Sequence, residues 1–220
     1  MPRKKRSTGY FITLEGGEGT GKSTQLKLLE ARLKDAGYPV IATREPGGTD
    51  QAEEVREIIL SGSAELMGAE FEAMLFTSAR LDHVEKLIAP ALEEGHVVIS
   101  DRFADSTRVY QGATGEVDKD MIAGLEELVR ELAWPDLTII LDLDPKTGLG
   151  RAADRDAGAT QPDRFEREDI FVHKKRRKAF LKLADEEPRR CKVVDADGDP
   201  HEVHEKIWKL VSPRVKRRIG

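Results

Sequence analysis

Apolar residues occur along the chain in two kinds of run, which predict strands and helices in alternation. Short and almost continuous apolar runs predict five strands, at residues 10–14, 40–43, 97–99, 137–143 and 192–195. Between these runs the apolar residues recur at helical spacing. The predicted helices cover about residues 23–37, 50–60, 71–92, 118–133, 165–187 and 201–211, and another begins at Pro145.

Strands that alternate with helices predict an α/β fold, in which a mostly parallel sheet is covered by helices on both faces. Ligands of such sheets bind beyond the carboxyl ends of the strands. We expect one domain over residues 9–213, with a lid at about residues 151–167. Basic segments, residues 1–8 and 214–220, flank this domain.

The composition narrows the function classes. Apolar residues make up 39 % of the 220 residues and charged residues 35 %, which suits a soluble globular protein. The net charge of −5 predicts no general attraction to nucleic acid. The lone Cys191 fits a reducing compartment, so we expect a cytoplasmic protein. We expect no membrane span and, because the basic N-terminus lacks a following apolar run, no secretory signal.

The strongest motif is residues 16–23, Gly-Gly-Glu-Gly-Thr-Gly-Lys-Ser, which fits the phosphate-binding pattern G-x-x-x-x-G-K-[ST] between a strand and a helix. Its glycines let successive backbone N–H groups converge on one anion, and the helix N-terminus adds positive potential. Lys22 can then reach the outer phosphates, and the Ser23 hydroxyl can ligate Mg²⁺. We therefore expect a nucleoside triphosphate to bind here.

Arginines near the same edge indicate a second anion. Arg44 and Arg102 each follow a predicted strand directly, and Arg80 shares a helix face with Phe76. A planar guanidinium binds phosphate bidentately. Any one of these arginines alone is better explained by a surface salt bridge. Two of them at strand ends beside a phosphate loop indicate a phosphorylated acceptor.

Two carboxylates fit more than one role. Glu18 would repel a polyphosphate, so it suits either a neutral hydroxyl, such as that of a sugar, or a position facing solvent. Asp101 follows a buried strand. It can hold Mg²⁺ directly or through water, or it can accept a hydrogen bond from Ser23.

The variable positions of the phosphate loop contain no arginine, although a cation that contacts the transferred phosphoryl group can raise the rate by ~10³ to 10⁵. A polar loop at about residues 156–163 is expected to supply it as a lid that excludes water. A hinge rich in solvated charge is the alternative. The arginines that bracket this loop are Arg151, Arg155, Arg164 and Arg167.

The remaining charged groups suggest surface positions. The five histidines form no metal-ligand spacing with the single cysteine, and His201 and His204 are expected to be surface residues. The basic run at residues 174–178 is expected to form a solvated helix face.

Several segments together resemble the bacterial thymidylate kinases. They are residues 43–48 (Thr-Arg-Glu-Pro-Gly-Gly), 101–103 (Asp-Arg-Phe), 106–112 (Ser-Thr-Arg-Val-Tyr-Gln-Gly), 135–138 and 163–166. The resemblance implies a three-layer P-loop NTPase fold: a five-stranded parallel sheet with helices on both faces and a small arginine-bearing lid. It further implies a homodimer that transfers the γ-phosphoryl group of ATP to dTMP with Mg²⁺.

The resemblance also implies roles for individual residues. Arg44 and Arg102 would bind the dTMP phosphate, Phe76 would stack on thymine and Arg80 would bond to the base. The full acceptor-site set is Arg44, Phe76, Arg80, Arg102, Ser106, Thr107, Tyr110 and Gln111. The ATP set is Gly16, Gly17, Glu18, Gly19, Thr20, Gly21, Lys22, Ser23, Thr24 and Arg151. The catalytic set is Lys22, Arg102, Arg155, Asp101 and Glu18, with Ser23 and Asp101 as metal ligands.

Further implications and alternatives accompany the resemblance. The Glu45–Pro46 peptide is expected to be cis, and Glu18 would meet the sugar hydroxyl. Phe103, the segment near Arg177 and Phe180, and the length of the lid depart from the family pattern. A kinase for another acceptor is an alternative function. A nucleotide-dependent switch is a weaker one, because the sequence contains no asparagine and so lacks the guanine-reading Asn-Lys-x-Asp signature.

Lys22→Ala provides a first test of the phosphate loop. Because Lys22 is expected to neutralise the outer phosphates, the substitution should reduce turnover by orders of magnitude and leave the fold intact. Steady-state phosphoryl transfer and circular dichroism measure the two effects. Turnover near that of the wild type would refute the role of Lys22.

Overall fold

Five strands form one parallel sheet in the order β2-β3-β1-β4-β5. The computed structural model describes residues 8–156 and 165–219, without the side chains of Glu65, Arg155 and Asp156. The strands are β1 Tyr10–Glu15, β2 Val40–Arg44, β3 Val97–Asp101, β4 Leu137–Asp142 and β5 Cys191–Asp195. The predicted α/β class, parallel pairing and five strands are confirmed.

Helices connect the strands along the described chain. They are α1 Lys22–Asp35, α2 Asp50–Leu60, α3 Ala69–His83, α4 Ala89–Glu93, α5 Ala104–Thr107, α6 Lys119–Arg130, α7 Pro145–Asp156, α8 Ile170–Glu186 and α9 Pro200–Ile219. A π-helical turn, Val84–Ile88, joins α3 to α4, so the long helix predicted over residues 71–92 is confirmed as a continuous helical segment.

Three helical segments differ from the sequence predictions. No helix was predicted between residues 92 and 118, but α5 forms there and continues as a π-helix over Arg108–Thr114. α8 begins at Ile170 because the Asp169 side chain caps it. α9 continues past Pro213 to Ile219, because Val211 and Val215 remain fully buried on one helix face.

Alternate residues of the central strands pack on opposite faces of the sheet. Ile12 and Ile99 belong to one core cluster, together with residues of α1 and α9. Phe11 and Val98 belong to another, together with Val84 and other residues of the α3–α4 segment. This arrangement buries both faces, which explains why the strand sequences are almost continuously apolar.

Two surface expectations are wrong in part. His201 is exposed, but His204 is only 6 % exposed on the inner side of α9. Arg176, within the predicted solvated run of residues 174–178, is also buried.

No helix in the described ranges combines the length and the apolar character needed to cross a membrane.

A matched pair of valines tests the buried sheet. Val98, on the central strand β3, is fully buried, whereas Val193 on β5 is 43 % exposed. We expect Val98→Ala to lower the free energy of unfolding by about 1.5–3 kcal/mol, the value of burying a valine side chain. Val193→Ala should change it by about 0.5 kcal/mol or less. Denaturant titration measures both, and equal losses would contradict the layer assignment.

Candidate active site

A cavity of about 420 Å³ opens at the carboxyl ends of β1, β2 and β3. All eight acceptor-site residues line it: Arg44, Phe76, Arg80, Arg102, Ser106, Thr107, Tyr110 and Gln111. The phosphate-loop residues from Glu18 to Thr24 form the adjoining wall. The cavity has further lining residues to which the sequence assigned no role: Glu45, Pro46, Arg56, Leu60, Phe165 and Glu166.

The phosphate loop depends on glycine at a close backbone contact. Gly19 has a φ of +64°, and a Cβ at this position would lie 1.8 Å from the Gly148 carbonyl oxygen. Lys22 closes the loop, since its ammonium group donates to the carbonyls of Gly16 at 3.1 Å and Gly17 at 2.7 Å. Burial is the largest influence that lowers the pKa of Lys22, and the nearby Arg102 charge lowers it further.

Ser23 and Asp101 meet at the end of β3. The Ser23 hydroxyl donates to Asp101 Oδ2 at 2.7 Å. The hydrogen bond that the sequence left as one of two possibilities for Asp101 is therefore present. A hydroxyl and a carboxylate beside a phosphate loop are the oxygen donors that Mg²⁺ prefers.

Glu18 faces a cation and a hydroxyl rather than solvent, and its side chain is 12 % exposed. Its Oε1 accepts from Arg102 Nη2 at 2.8 Å and from the Tyr110 hydroxyl at 2.6 Å. Burial alone would raise the pKa of Glu18. The positive charges of Arg102 and Lys22, together with the Tyr110 hydrogen bond, outweigh burial and lower the pKa to about 2. Glu18 therefore carries a negative charge at neutral pH.

The backbone at Arg102 is in the left-handed region, with a φ of +70°, which is strained for a residue with a long side chain. The turn is held because the Arg102 N–H donates to the Leu14 carbonyl at 2.9 Å. In this conformation Arg102 Nη1 reaches the Gly16 carbonyl and the Ser106 hydroxyl. The strained turn thus places a guanidinium directly against the phosphate loop.

The segment after β2 carries the second predicted phosphate ligand. The Glu45–Pro46 peptide is cis, as expected. Arg44 Nη2 donates to both oxygens of Glu53 at 3.0 Å, and both side chains are largely exposed. Arg56 Nη1 donates to the Pro46 carbonyl at 2.7 Å. A second arginine that the sequence did not single out therefore lies at this side of the cavity.

Arg80 is fixed by a buried network. Its Nε donates to Glu45 Oε2 at 2.6 Å, and its Nη2 donates to the Phe103 carbonyl at 3.2 Å. The other Glu45 oxygen lies 3.1 Å from His83 Nδ1, and His83 Nε2 lies 2.8 Å from the Thr43 hydroxyl. These contacts leave Arg80 Nη1 as the group that can reach into the cavity.

Gln111 and Thr107 add two further polar groups to the lining of the cavity. Gln111 Nε2 donates to the buried Glu72 at 2.6 Å, which fixes the orientation of the Gln111 amide. The Thr107 hydroxyl is buried and finds no hydrogen-bond partner among the described residues. Because buried polar groups are rarely left unpaired, a ligand in the cavity is the natural partner for Thr107.

Glu15, at the end of β1, is a buried carboxylate that the sequence did not reveal. Its two oxygens accept from the Phe103 N–H at 2.8 Å and from the Ser106 hydroxyl at 2.7 Å. Burial raises the pKa of Glu15 to about 8, and the Asp105 charge adds to the rise, although Arg102 opposes it. A charged residue at a strand end gives no sequence signal that it will be buried.

Not every predicted residue lies at the cavity. Arg151 instead donates to the Ala196 carbonyl at 3.1 Å and pairs with Asp197, beyond β5. The side chain of Arg155 and the whole of Arg164 lie outside the described residues, so the predicted cation of the lid has no structural test. Gly16 and Gly17 line a separate cavity of about 20 Å³.

Arg176 is a further cation beside the site. Its guanidinium lies 4.1 Å from the ring centroid of Tyr110. Its burial was not predicted, because the surrounding basic run was expected to form a solvated face. His173 and Phe180 nevertheless lie at helical spacing from Arg176 and are buried with it. That spacing was the signal that could have found it.

The site is matched by proteins of one family. A sequence model of the thymidylate kinase family matches residues 14–207, which include the phosphate loop and all four arginines that line the cavity. The chain belongs to the thymidylate kinase family. It is 50 % identical over 207 residues to the thymidylate kinase of a Bradyrhizobium species, covering 94 % of this chain and 91 % of that protein.

Other members of the family support this placement. The thymidylate kinase of Nitrobacter winogradskyi is 48 % identical over 214 residues, covering 97 % of this chain and 93 % of that protein. The crystal structure of thymidylate kinase from Ehrlichia chaffeensis is 31 % identical and superposes with a TM-score of 0.75. That superposition covers 92 % of this chain and 98 % of the other. The P-loop NTPase fold expected from the resemblance is therefore confirmed.

Glu15→Gln tests the buried carboxylate of this family member. Because folding raises the pKa of Glu15 from about 4.3, its contribution to stability is full below that value and is lost as pH rises toward about 8. Glutamine cannot ionise. Urea titrations from about pH 5 to about pH 9 should therefore show the variant gaining stability relative to the wild type as pH rises. A constant difference would contradict the raised pKa, and the exposed Glu57→Gln is the control.

Proposed function

We propose that the protein transfers the γ-phosphoryl group of ATP to dTMP, giving ADP and dTDP. The observation that carries the proposal is a single cavity in which a phosphate loop and the guanidinium groups of Arg44, Arg80 and Arg102 share one space. Membership of the thymidylate kinase family supports the choice of substrates. The two nucleotides can meet there with their phosphates adjacent.

The residues around the cavity supply positioning and charge. In this proposal the backbone of the phosphate loop holds the ATP phosphates, and Lys22 neutralises the outer ones. Arg102 and Arg44 hold the dTMP phosphate, one oxygen of which attacks the γ-phosphorus in line. That oxygen is already ionised, so no strong general base is needed, and alignment with charge neutralisation provides most of the rate.

Ser23 and Asp101 fit the requirements for Mg²⁺. Both present oxygen atoms next to the phosphate loop, and Asp101 ends β3, an interior strand of the sheet. Bound Mg²⁺ would neutralise charge on the ATP phosphates. The described residues contain no group of three or more His, Cys, Asp or Glu that could hold a metal alone. In the proposal, the remaining ligands are substrate phosphates and water.

The other end of the cavity fits a pyrimidine base. Phe76 can stack on the ring, and Arg80 Nη1 and the Gln111 amide can bond to its polar edge. The unpaired Thr107 hydroxyl provides a further partner. Glu18 is already engaged by Arg102 and Tyr110, so its proposed contact with the sugar hydroxyl would add a third partner to its carboxylate.

A panel of acceptors with ATP tests the substrate assignment. We expect dTMP to be the best acceptor, ahead of dUMP, UMP, CMP and deoxynucleosides. A preference for another acceptor would overturn the base-pocket assignment.

Arg44→Ala should raise the KM for dTMP and leave the KM for ATP nearly unchanged, because Arg44 lies on the acceptor side.

We propose that two copies of the chain associate through α2, α3, α6 and the turn between α2 and α3. These elements pack side by side and present large apolar side chains to solvent: Ile58, Leu66, Met67, Met74 and Leu128. Exposed apolar side chains grouped on neighbouring elements are typical of a protein–protein interface. The cytoplasmic location, the absence of a nucleic-acid partner and the catalytic role of Arg155 stay predictions.

Sedimentation equilibrium tests the association. We expect a mass of twice 24.5 kDa for the wild type. Leu66→Glu should shift the protein toward the monomer because it places a charge in the interface. Phe171→Glu, at an exposed apolar residue on α8, is the control and should leave the dimer intact. A monomeric wild type would refute the association.

A further inference from the structure

Arg176 is a buried cation to which the proposed mechanism gives no task. Its side chain is 4 % exposed, and its ion pair is with Glu168, just before α8. Its guanidinium lies 4.1 Å from the Tyr110 ring centroid and 5.6 Å from that of Phe165. The Nε–H has no acceptor among the described residues. A guanidinium is costly to bury, so the aromatic contacts that compensate it point to a specific position.

Tyr110 connects this cation to the acceptor site. Its ring also contacts Arg102, whose Cζ lies 5.0 Å from the ring centroid. Its hydroxyl donates to Glu18 Oε1, and the same oxygen accepts from Arg102 Nη2. The Tyr110 ring therefore helps to fix the position of the Glu18 carboxylate. Because Glu18 also bonds to Arg102, the Tyr110 ring helps to orient the Arg102 guanidinium as well.

We propose that Arg176 is a positioning residue for dTMP. It holds the Tyr110 ring in place, so that Tyr110 and Glu18 keep the Arg102 guanidinium directed at the acceptor phosphate. Arg176 is not one of the residues that line the cavity, so it acts through Tyr110 and not by touching a nucleotide. This inference rests on the proposed function.

The mechanism distinguishes between the two substrates. The phosphate loop is held mainly by its own backbone and by Lys22, although Tyr110 bonds to Glu18 and Arg102 bonds to the Gly16 carbonyl. ATP binding should therefore depend on the Tyr110 ring less than dTMP binding does. In the proposal, Arg102 binds the dTMP phosphate, and the direction of the Arg102 guanidinium depends on the Tyr110 ring. Loss of Arg176 should therefore weaken dTMP binding selectively, whereas a purely structural role would lower stability and affect both substrates alike.

Steady-state kinetics of Arg176→Met provide the test. We expect the KM for dTMP to rise about 2- to 30-fold, the range from an exposed to a desolvated cation–π contact. The KM for ATP should change by less than about twofold. Arg176→Lys should also raise the KM for dTMP, because lysine lacks the planar group that stacks on Tyr110. Lys178→Met, at an exposed position of the same helix, is the matched control and should behave as the wild type.

A double-mutant cycle shows whether Arg176 acts through Tyr110. Tyr110→Phe keeps the ring but removes its bond to Glu18, so adding Arg176→Met should raise the KM for dTMP by less than about twofold more. Additive effects, equal changes in both KM values, or a wild-type KM in Arg176→Lys would overturn the inference. If Arg176→Met does not fold, as judged by thermal unfolding, Arg176→Lys carries the cycle. A wild type that fails to phosphorylate dTMP would refute the proposed function instead.

Discussion

The pairing of β1 with β3 is the constraint on which the site depends. Leu14 pairs with Asp101, so the chain enters the phosphate loop beside the point where it leaves β3. The Arg102 N–H then bonds to the Leu14 carbonyl, and the Ser23 hydroxyl bonds to Asp101. A shift of one residue in this register would turn Asp101 to the other face of the sheet. The side chains of β1 and β3 pack against different helices on the two faces of the sheet, and this close packing opposes the shift.

Each arginine of the acceptor site is paired with a carboxylate, and the pairs differ in burial. The Arg80–Glu45 pair is 3 % exposed on both sides, and the Arg102–Glu18 pair is mostly buried. The Arg44–Glu53 pair is largely exposed, and such pairs contribute only about 0–1 kcal/mol. Arg44 can therefore exchange its carboxylate for a phosphate at small cost. Arg80 and Arg102 are instead held in fixed positions by their buried carboxylate partners, so the ligand must adapt to them.

The sequence predicted what is encoded locally. A strand buried on both faces must be apolar throughout, so β1, β3 and β4 could be predicted from their apolar runs. The phosphate loop could be predicted because its backbone geometry requires glycine at fixed positions. Burial of charged residues depends on partners that are distant in the chain. Glu15 is buried by the turn after β3, and Arg176 by Tyr110, which lies 66 residues earlier (176 − 110). The spacing of His173 and Phe180 indicates that Arg176 lies on a buried helix face, but no local pattern identifies Tyr110 or the turn after β3 as the partner.

The central claim is that both nucleotides bind in one cavity, with the acceptor phosphate between the phosphate loop and the arginines. A crystal structure with dTMP and a non-hydrolysable ATP analogue tests it most directly. The account predicts the dTMP phosphate within hydrogen-bond distance of Arg102 and Arg44, facing the γ-phosphate beside Lys22. A dTMP phosphate bound away from both arginines, or two nucleotides in separate cavities, would contradict it.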